Sequence, residues 1–266
     1  MHRTGTLIAV AAIGLSACQV DNKATNEKLD KIIAELAEIK KGGGPGARPQ
    51  RKQRPRPNPN DIFSVNVDGA PVTGSKDAKV TIVKAFEFAC PFCERARPTM
   101  DTLLKDYGDD VRVVYKDYVV HPQSATIPAQ AACAAHKQGK FKAMYDGIWD
   151  KGFKAGRNLS KDNMVKIAKG IGLDAGKFEK DMTACAAIVK KDQQELARVG
   201  VTGTPAFYIN GRFLSGARPV ANFKTIVDQE LKKANDRISK GEATKKDYYQ
   251  KFVANWKDAK KAFTAK

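Results

Sequence analysis

Residues 80–100 read VTIVKAFEFACPFCERARPTM. Val80 to Phe86 is a short, mostly apolar run rich in β-branched residues, which reads as a buried strand. It leads into Cys90 and Cys93, and a helical pattern runs from Cys90 through Cys93 to about Tyr107. Two cysteines separated by two residues at a strand-to-helix junction form a redox pair more often than anything else in such a context. Pro91 suits the first helical turn, where a missing N–H costs nothing. Pro98 is expected to kink the helix. A thiolate at a helix N-terminus is favoured by the macrodipole and by unpaired backbone N–H groups. Thiol pKa values in such motifs fall to roughly 3.5–7.5 from about 8.5. Cys90 is therefore expected to be the exposed nucleophile. Cys93, one turn inward, is expected to resolve or close the mixed disulfide. The alternative is half of a zinc site, which needs a second ligand pair. The histidines are His2, His121 and His136, and there is no second CxxC, so neither a metal nor another cofactor is expected.

The stretch FEFACPFCERARPTMDTLLKDYGDDVRVVYKDYVVHP resembles the DsbA-like branch of the thioredoxin superfamily. The similarity continues through QGKF at 138–141 and GVTGTPAFYINGRFLSGARP at 200–219, and spans roughly residues 62–250. It implies an α/β protein: a thioredoxin-like fold over 61–266 with an inserted helical subdomain at about 120–198. It implies thiol–disulfide exchange on exported proteins, with Cys90 and Cys93 as the redox pair. By the same resemblance Pro205 is cis and faces that pair. The backbone of Thr204 is then open to an extended substrate strand, as in β-augmentation. From the residues alone, proline before the strand Ala206–Ile209 also fits an edge device. One departure concerns Phe92. The best-known oxidases of the family place a histidine between the cysteines; Phe92 offers neither charge nor a hydrogen bond, so this pair is expected to be less oxidising than theirs. Glu87, three residues before Cys90, could relay a proton to Cys93 or could sit in solvent at the strand end.

The rest of the chain tethers or shields this pair. Residues 1–18, MHRTGTLIAVAAIGLSAC, have the short charged start, apolar centre and small-residue end of a secretory signal. Leu15-Ser16-Ala17-Cys18 also resembles the bacterial lipobox, which implies lipidation at Cys18 and a membrane anchor; an ordinary signal peptide is the alternative. Residues 19–41 contain Leu29, Ile32, Leu36 and Ile39 at 3-4-3 spacing, an amphipathic helix with a short coiled-coil seam. It could join copies of the chain or serve as a spacer. Residues 42–60, GGGPGARPQRKQRPRPNPN, form a basic Pro/Gly-rich linker.

The full chain has 266 residues, 42% of them hydrophobic, and a net charge of +18. That charge suits anionic surfaces, and export argues against nucleic acid. No segment after the signal approaches the ~18 apolar residues that a membrane span needs.

Within the domain, Ser64–Val67 reads as a first strand before an Asp68-Gly69 turn, Val111–Lys116 as another strand, and Asn210-Gly211 as a hairpin turn. Residues from about Ser124 to Arg198 are helical in pattern. Cys133 and Cys185 fall there on separate helices. With Cys18 lipidated and Cys90 paired with Cys93, they are expected to bridge; two reduced thiols are the alternative. Pro219 to about Lys233 reads as a closing helix. A Lys-rich helix over Lys245–Lys261 carries Tyr248, Tyr249, Phe252, Val253 and Trp256 on one face, for packing onto the domain or against a membrane or partner.

The expected function is an exported, lipid-anchored thiol–disulfide oxidoreductase of the bacterial cell envelope, facing the periplasm or extracytoplasmic space. As a dithiol oxidase it would act on unfolded or partly folded exported proteins and be reoxidised by a membrane redox partner. An isomerase or reductase, favoured by self-association through residues 29–39, is the alternative. A non-catalytic chaperone or envelope-binding module is the alternative from another class.

Overall fold

The computed structural model describes residues 22–40 and 55–264, which divide into two units between Arg54 and Pro55. The expected signal peptide, Cys18 and most of the expected linker lie outside the described residues. In the first unit a single helix, α1 (Asn22–Lys40), carries the apolar stripe. Leu29, Ile32, Ile33 and Leu36 are 50%, 52%, 61% and 55% exposed, so no described residue of this unit covers the stripe.

The second unit is built on a five-stranded sheet. Its strands are β1 (Val72–Gly74), β2 (Val80–Phe86), β3 (Val111–Asp117), β4 (Ala206–Ile209) and β5 (Arg212–Ser215), in the order β1-β3-β2-β4-β5. β2 and β3 are parallel, and the other pairs are antiparallel. β2 lies at the centre and is buried throughout, which is why its sequence runs apolar instead of alternating. Ile82 and Phe86 face a core that contains Cys90, Cys93, Met100 and Leu103. Val83 and Ala85 face a second core with Phe63, Val65 and Tyr208. The β4–β5 turn uses Asn210 at φ 43° and Gly211 at φ 84°, the left-handed pair that a two-residue hairpin needs. A Cβ on Gly211 would come within 2.8 Å of the Phe63 carbonyl oxygen, so that position also needs glycine for space.

Two short helices, α2 (Pro91–Arg95) and α3 (Arg97–Tyr107), follow β2. The expected single kinked helix is therefore broken at Ala96. Pro98 has no N–H to offer the Glu94 carbonyl, and the chain restarts as a new helix there. α3 packs on β3. α8 (Val220–Ser239) packs on β2 and β4 and runs past the expected end near Lys233.

Between β3 and β4 comes the helical insertion: α4 (Pro122–Lys137), α5 (Phe141–Gly147), a π-type turn Ile148–Phe153, α6 (Lys161–Gly170) and α7 (Ala175–Arg198). Ser160 and Asp174 cap α6 and α7 by accepting from Asn163 N and Lys177 N. α4 buries Ala129, Ala131, Ala132, Ala134 and Ala135, whose small side chains allow close packing against its neighbours, α7 among them.

Two expectations fail at the ends of this unit. Ser64–Val67 is not a strand, and the first strand is Val72–Gly74. The backbone of that earlier segment is taken up elsewhere: Ser64 N donates to Lys260 O at 3.0 Å, and Asn66 N to Glu195 Oε1 at 2.5 Å. The Lys245–Lys261 helix is likewise absent. Only one π-type turn, Gln250–Ala254, forms there. The segment instead spreads over the domain, with Tyr249 and Val253 in the second core and Tyr249 Oη donating to Val65 O at 2.8 Å. Beyond the turn it extends to form a parallel bridge from Lys260 to Phe63. One straight helix could not make both contacts.

Candidate active site

The dithiol sits where the central strand hands over to α2. Cys90 is the N-cap of α2, with extended φ and ψ of −88° and 117°, and its carbonyl accepts from Cys93 N at 3.0 Å and Glu94 N at 3.2 Å. This local geometry follows from Pro91 at the first helical position. Cys90 is 4% exposed, less than expected, and Cys93 is fully buried one turn further in. Both are free thiols.

The two sulfurs are electrostatically unlike. A hydrogen bond from the Cys93 side chain, with others from the Thr204 side chain and the N–H groups of Cys93 and Phe92, holds the Cys90 pKa down to about 6 despite burial. Burial pushes Cys93 well above the ordinary thiol value, and the hydrogen bond it gives to Cys90 adds to the rise. Near neutral pH the pair is therefore one thiolate and one thiol, which is the arrangement for attack by Cys90 and later resolution by Cys93.

Across from the pair, the Thr204–Pro205 peptide bond is cis. The Cys90 thiol donates to Thr204 O at 3.4 Å. The Pro205 carbonyl accepts from Gly216 N at 2.8 Å, which ties this loop to the end of β5. A shallow cavity of about 220 Å³ opens beside it, lined by Arg56, Thr202, Thr204, Pro205 and Phe213 among others.

Glu87 is fully buried and does not sit in solvent. Its Oε2 accepts from Val120 N at 2.6 Å and His121 N at 2.9 Å, and its Oε1 contacts His121 Nδ1. The carboxylate thus holds the start of the insertion, while the Glu87 backbone hydrogen-bonds the Cys93 sulfur. Phe92 is 52% exposed, and the Arg95 guanidinium lies 5.0 Å from its ring centroid.

Cys133 on α4 and Cys185 on α7 have their sulfurs 2.01 Å apart and are disulfide-bonded across a sequence separation of 52 residues. The bridge fastens α4 to α7 within the insertion. Among the described residues, no group of three or more His, Cys, Asp or Glu side chains could hold a metal ion.

Two contributors escape a motif reading. Arg97 of α3 reaches Asp146 Oδ1 and Asp150 Oδ1, both at 3.0 Å, docking the insertion beside the dithiol helices. Lys84 lies fully buried inside β2. A lysine inside an otherwise apolar strand was the available signal for it.

Fold and site together define a dithiol protein of the thioredoxin type with a helical insertion. A family model described as thioredoxin, Thioredoxin_4, matches residues 66–229, more than half of the chain. The chain belongs to this family. A thioredoxin-like oxidoreductase from Silicibacter pomeroyi DSS-3 is 28% identical with a TM-score of 0.56, over 62% of this chain and 94% of that one. BdbD from Bacillus subtilis shares the fold, at 21% identity and a TM-score of 0.54, over 65% of this chain and all of the other. The Na(+)/H(+) antiporter NhaA of Herminiimonas arsenicoxydans is 32% identical over 148 residues, 55% of this chain. That alignment spans only 23% of the antiporter's own length.

Proposed function

We propose that the chain is an exported, membrane-tethered dithiol oxidase of the cell envelope, with Cys90 as nucleophile and Cys93 as its resolving partner. The observation that carries this reading is the split between Cys90, held near pH 6, and Cys93, held well above its ordinary value, opposite Thr204-Pro205. A substrate thiolate attacks Cys90 of the Cys90–Cys93 disulfide, and Cys93 leaves and takes a proton. A second substrate thiolate then attacks the substrate sulfur of the mixed disulfide, and Cys90 leaves as a thiolate. The substrate loses two electrons and gains a disulfide; the enzyme is left as a dithiol, to be reoxidised by a disulfide or quinone-linked oxidant at the membrane. A low Cys90 pKa favours Cys90 as the leaving sulfur and so drives this direction.

Substrates are unfolded or partly folded exported proteins, whose extended backbone pairs with Thr204. Among the described residues the Thr204 N–H donates to no group, in keeping with that use. The anchor is lipid at Cys18, on the strength of the lipobox-like Leu15-Ser16-Ala17-Cys18.

The uncovered stripe of α1 favours a second reading, in which copies associate through residues 29–39 and work as an isomerase or reductase. The reduction potential against glutathione and the redox state of Cys90 and Cys93 in cells decide between the two. An oxidised pair in cells, with a potential above that of glutathione, supports the first reading. A reduced pair in cells overturns it.

A further inference from the structure

Residues 42–60 read as a linker, yet its last residues are built into the domain. Pro57 is buried and packs on Gly200, where an added Cβ would meet Pro57 Cγ at 2.6 Å. Arg212 Nε donates to Pro59 O at 3.1 Å and fixes the same stretch to β5. Laying residues 55–60 beside the 200–205 loop brings Arg56 into the lining of the cavity of about 220 Å³ at the cis proline, together with Thr202, Thr204 and Ser215. Arg56 is the one charged residue in that lining. It is exposed, and among the described residues it makes no hydrogen bond or ion pair. A neighbouring cavity shares Arg56 with Asp61, but Lys260 holds that carboxylate. Two further cations flank the dithiol. Arg218 Nε donates to Ser215 O, on the cavity wall, at 3.0 Å. Arg95 is exposed beside the Phe92 ring. Among the described residues neither is ion-paired. The carboxylates nearest the pair in sequence are engaged, Glu94 with Lys154 at 3.2 Å and Glu87 with the Val120 and His121 N–H groups. A chain of net charge +18 has many solvated cations that need no ligand. Arg56 differs from them in sharing a cavity with the loop that a substrate backbone would meet.

We propose that Arg56 is a specificity-determining residue, selecting client segments that carry an aspartate or glutamate within about three residues of the reacting cysteine. This rests on the oxidoreductase reading above and names its substrate class. The Cys90 sulfur is 3.4 Å from Thr204 O, so a substrate sulfur bonded to Cys90 sits beside that loop. An extended strand advances about 3.3 Å per residue and sends alternate side chains to the same side. A client strand paired with Thr204 therefore carries a residue close to its own cysteine over the cavity. A carboxylate there is met by a planar guanidinium that can bind it through two parallel N–H donors. The hydroxyls of Thr202 and Ser215 belong to the same lining and can donate as well. A lysine at that position meets a like charge that no carboxylate neutralises, and is selected against by repulsion. Arg56 acts on the flank of the substrate and takes no part in the electron transfer between sulfurs.

The test uses the oxidised full chain and three peptides that share one cysteine pair and differ only in having aspartate, serine or lysine at the positions flanking each cysteine. Peptide oxidation in a single turnover is followed by acid quench and mass spectrometry at about 150 mM salt, where exposed charges more than ~8 Å apart are largely screened. Each rate is divided by that of the same peptide with neutral hydroxyethyl disulfide, which removes the effect of the flanking charge on the peptide thiol. Wild type is expected to oxidise the aspartate peptide about tenfold faster than the lysine peptide, the scale of one surface ion pair gained against one repulsion. Arg56→Glu is expected to abolish or invert that preference. Lys76→Glu makes the same charge change in the turn before β2, at the end of the strand away from Cys90, and is expected to keep the wild-type ratio. Should Arg56→Glu fail to fold, Arg56→Gln carries the test, with a ratio of about threefold expected. A wild-type ratio near one, or a ratio that the substitutions at Arg56 and Lys76 lower equally, overturns the proposal. The two levels separate cleanly: if the oxidised chain oxidises none of the peptides, the oxidase reading and the proposal fall together; if it oxidises all three alike, the reading stands and the selectivity alone is lost.

Discussion

The Cys90 sulfur lies 3.4 Å from the carbonyl oxygen of Thr204, a residue 114 positions away in sequence. A strand-to-helix junction and a cis-proline loop are thereby brought to one point beside the adjoining ends of β2 and β4. The thiol that is chemically most active is also the one that touches the loop offered to a substrate backbone.

Cys90 is expected to titrate with a midpoint near pH 6, read by thiolate absorbance or by the pH dependence of alkylation. Because this pKa is depressed, the stabilisation of the reduced protein is present above that range and fades as pH falls through about 6. The reduction potential should therefore drop by ~59 mV per pH unit below the midpoint and by ~30 mV above it, where one proton accompanies two electrons. Cys93→Ser keeps a hydroxyl donor and should raise the midpoint slightly; Cys93→Ala removes the donor and should raise it further. A wild-type midpoint above 8 would contradict the assignment.

Replacing Cys133 and Cys185 together by alanine should lower unfolding free energy by about 4 kcal/mol, the chain-entropy value for a closed loop of this length. Urea denaturation measures it. The alkylation profile of Cys90 should not change, since the groups that set the Cys90 pKa, Cys93, Thr204 and Phe92, do not include the bridge.

Glu87→Ala leaves two backbone N–H groups, of Val120 and His121, without their acceptor. A loss of about 1–3 kcal/mol is expected. Glu87→Gln keeps one acceptor oxygen and should lose less. If Glu87 relays protons to Cys93, Glu87→Gln will also slow resolution of a glutathione mixed disulfide on Cys90. The Glu87 carboxylate is taken up by the Val120 and His121 N–H groups and the His121 ring, so that rate is expected to stay at the wild-type value.

The stripe on α1 predicts self-association of the full chain. Light scattering should give a multiple of the 29.0 kDa chain mass. Leu29→Asp combined with Leu36→Asp should return it to one copy, because a buried seam does not tolerate facing carboxylates. Equal masses for the two proteins would remove the main support for the isomerase reading.

Local chemistry was the part of this molecule that could be read directly. Val80–Phe86, the Cys90 helix start, Ala206–Ile209 and the Asn210-Gly211 turn all depend on residues within a few positions of one another. The failures share a different cause. Ser64–Val67 has the pattern of a strand, yet its backbone partners come from Glu195 and Lys260. Tyr248 to Trp256 has the spacing of a helix, but its aromatic side chains are divided between the second core and a separate cluster beside α8, where Arg237 lies 4.0 Å from the Phe252 ring centroid. Lys84 was hidden because an average over β2 hides one charge among six uncharged residues. Its hydrogen-bond partner, Tyr145, comes from α5, which no spacing rule places beside it.

The stitching of Phe63 to Lys260 has a consequence for synthesis. Ser64 N and Ile62 O both bond to Lys260, Tyr249 closes over Val65, and Phe263 N reaches Arg198 O at 2.8 Å. One wall of the second core is thus supplied by residues about 190 positions after the other wall. A chain that emerges from its N-terminal end can form the redox helix early but cannot seal that core until the last stretch has been delivered. Until then the part of that core filled by Tyr249 and Val253 stays unfilled. For that interval the protein is itself an unfinished chain with reactive thiols, the same kind of molecule on which we propose it acts.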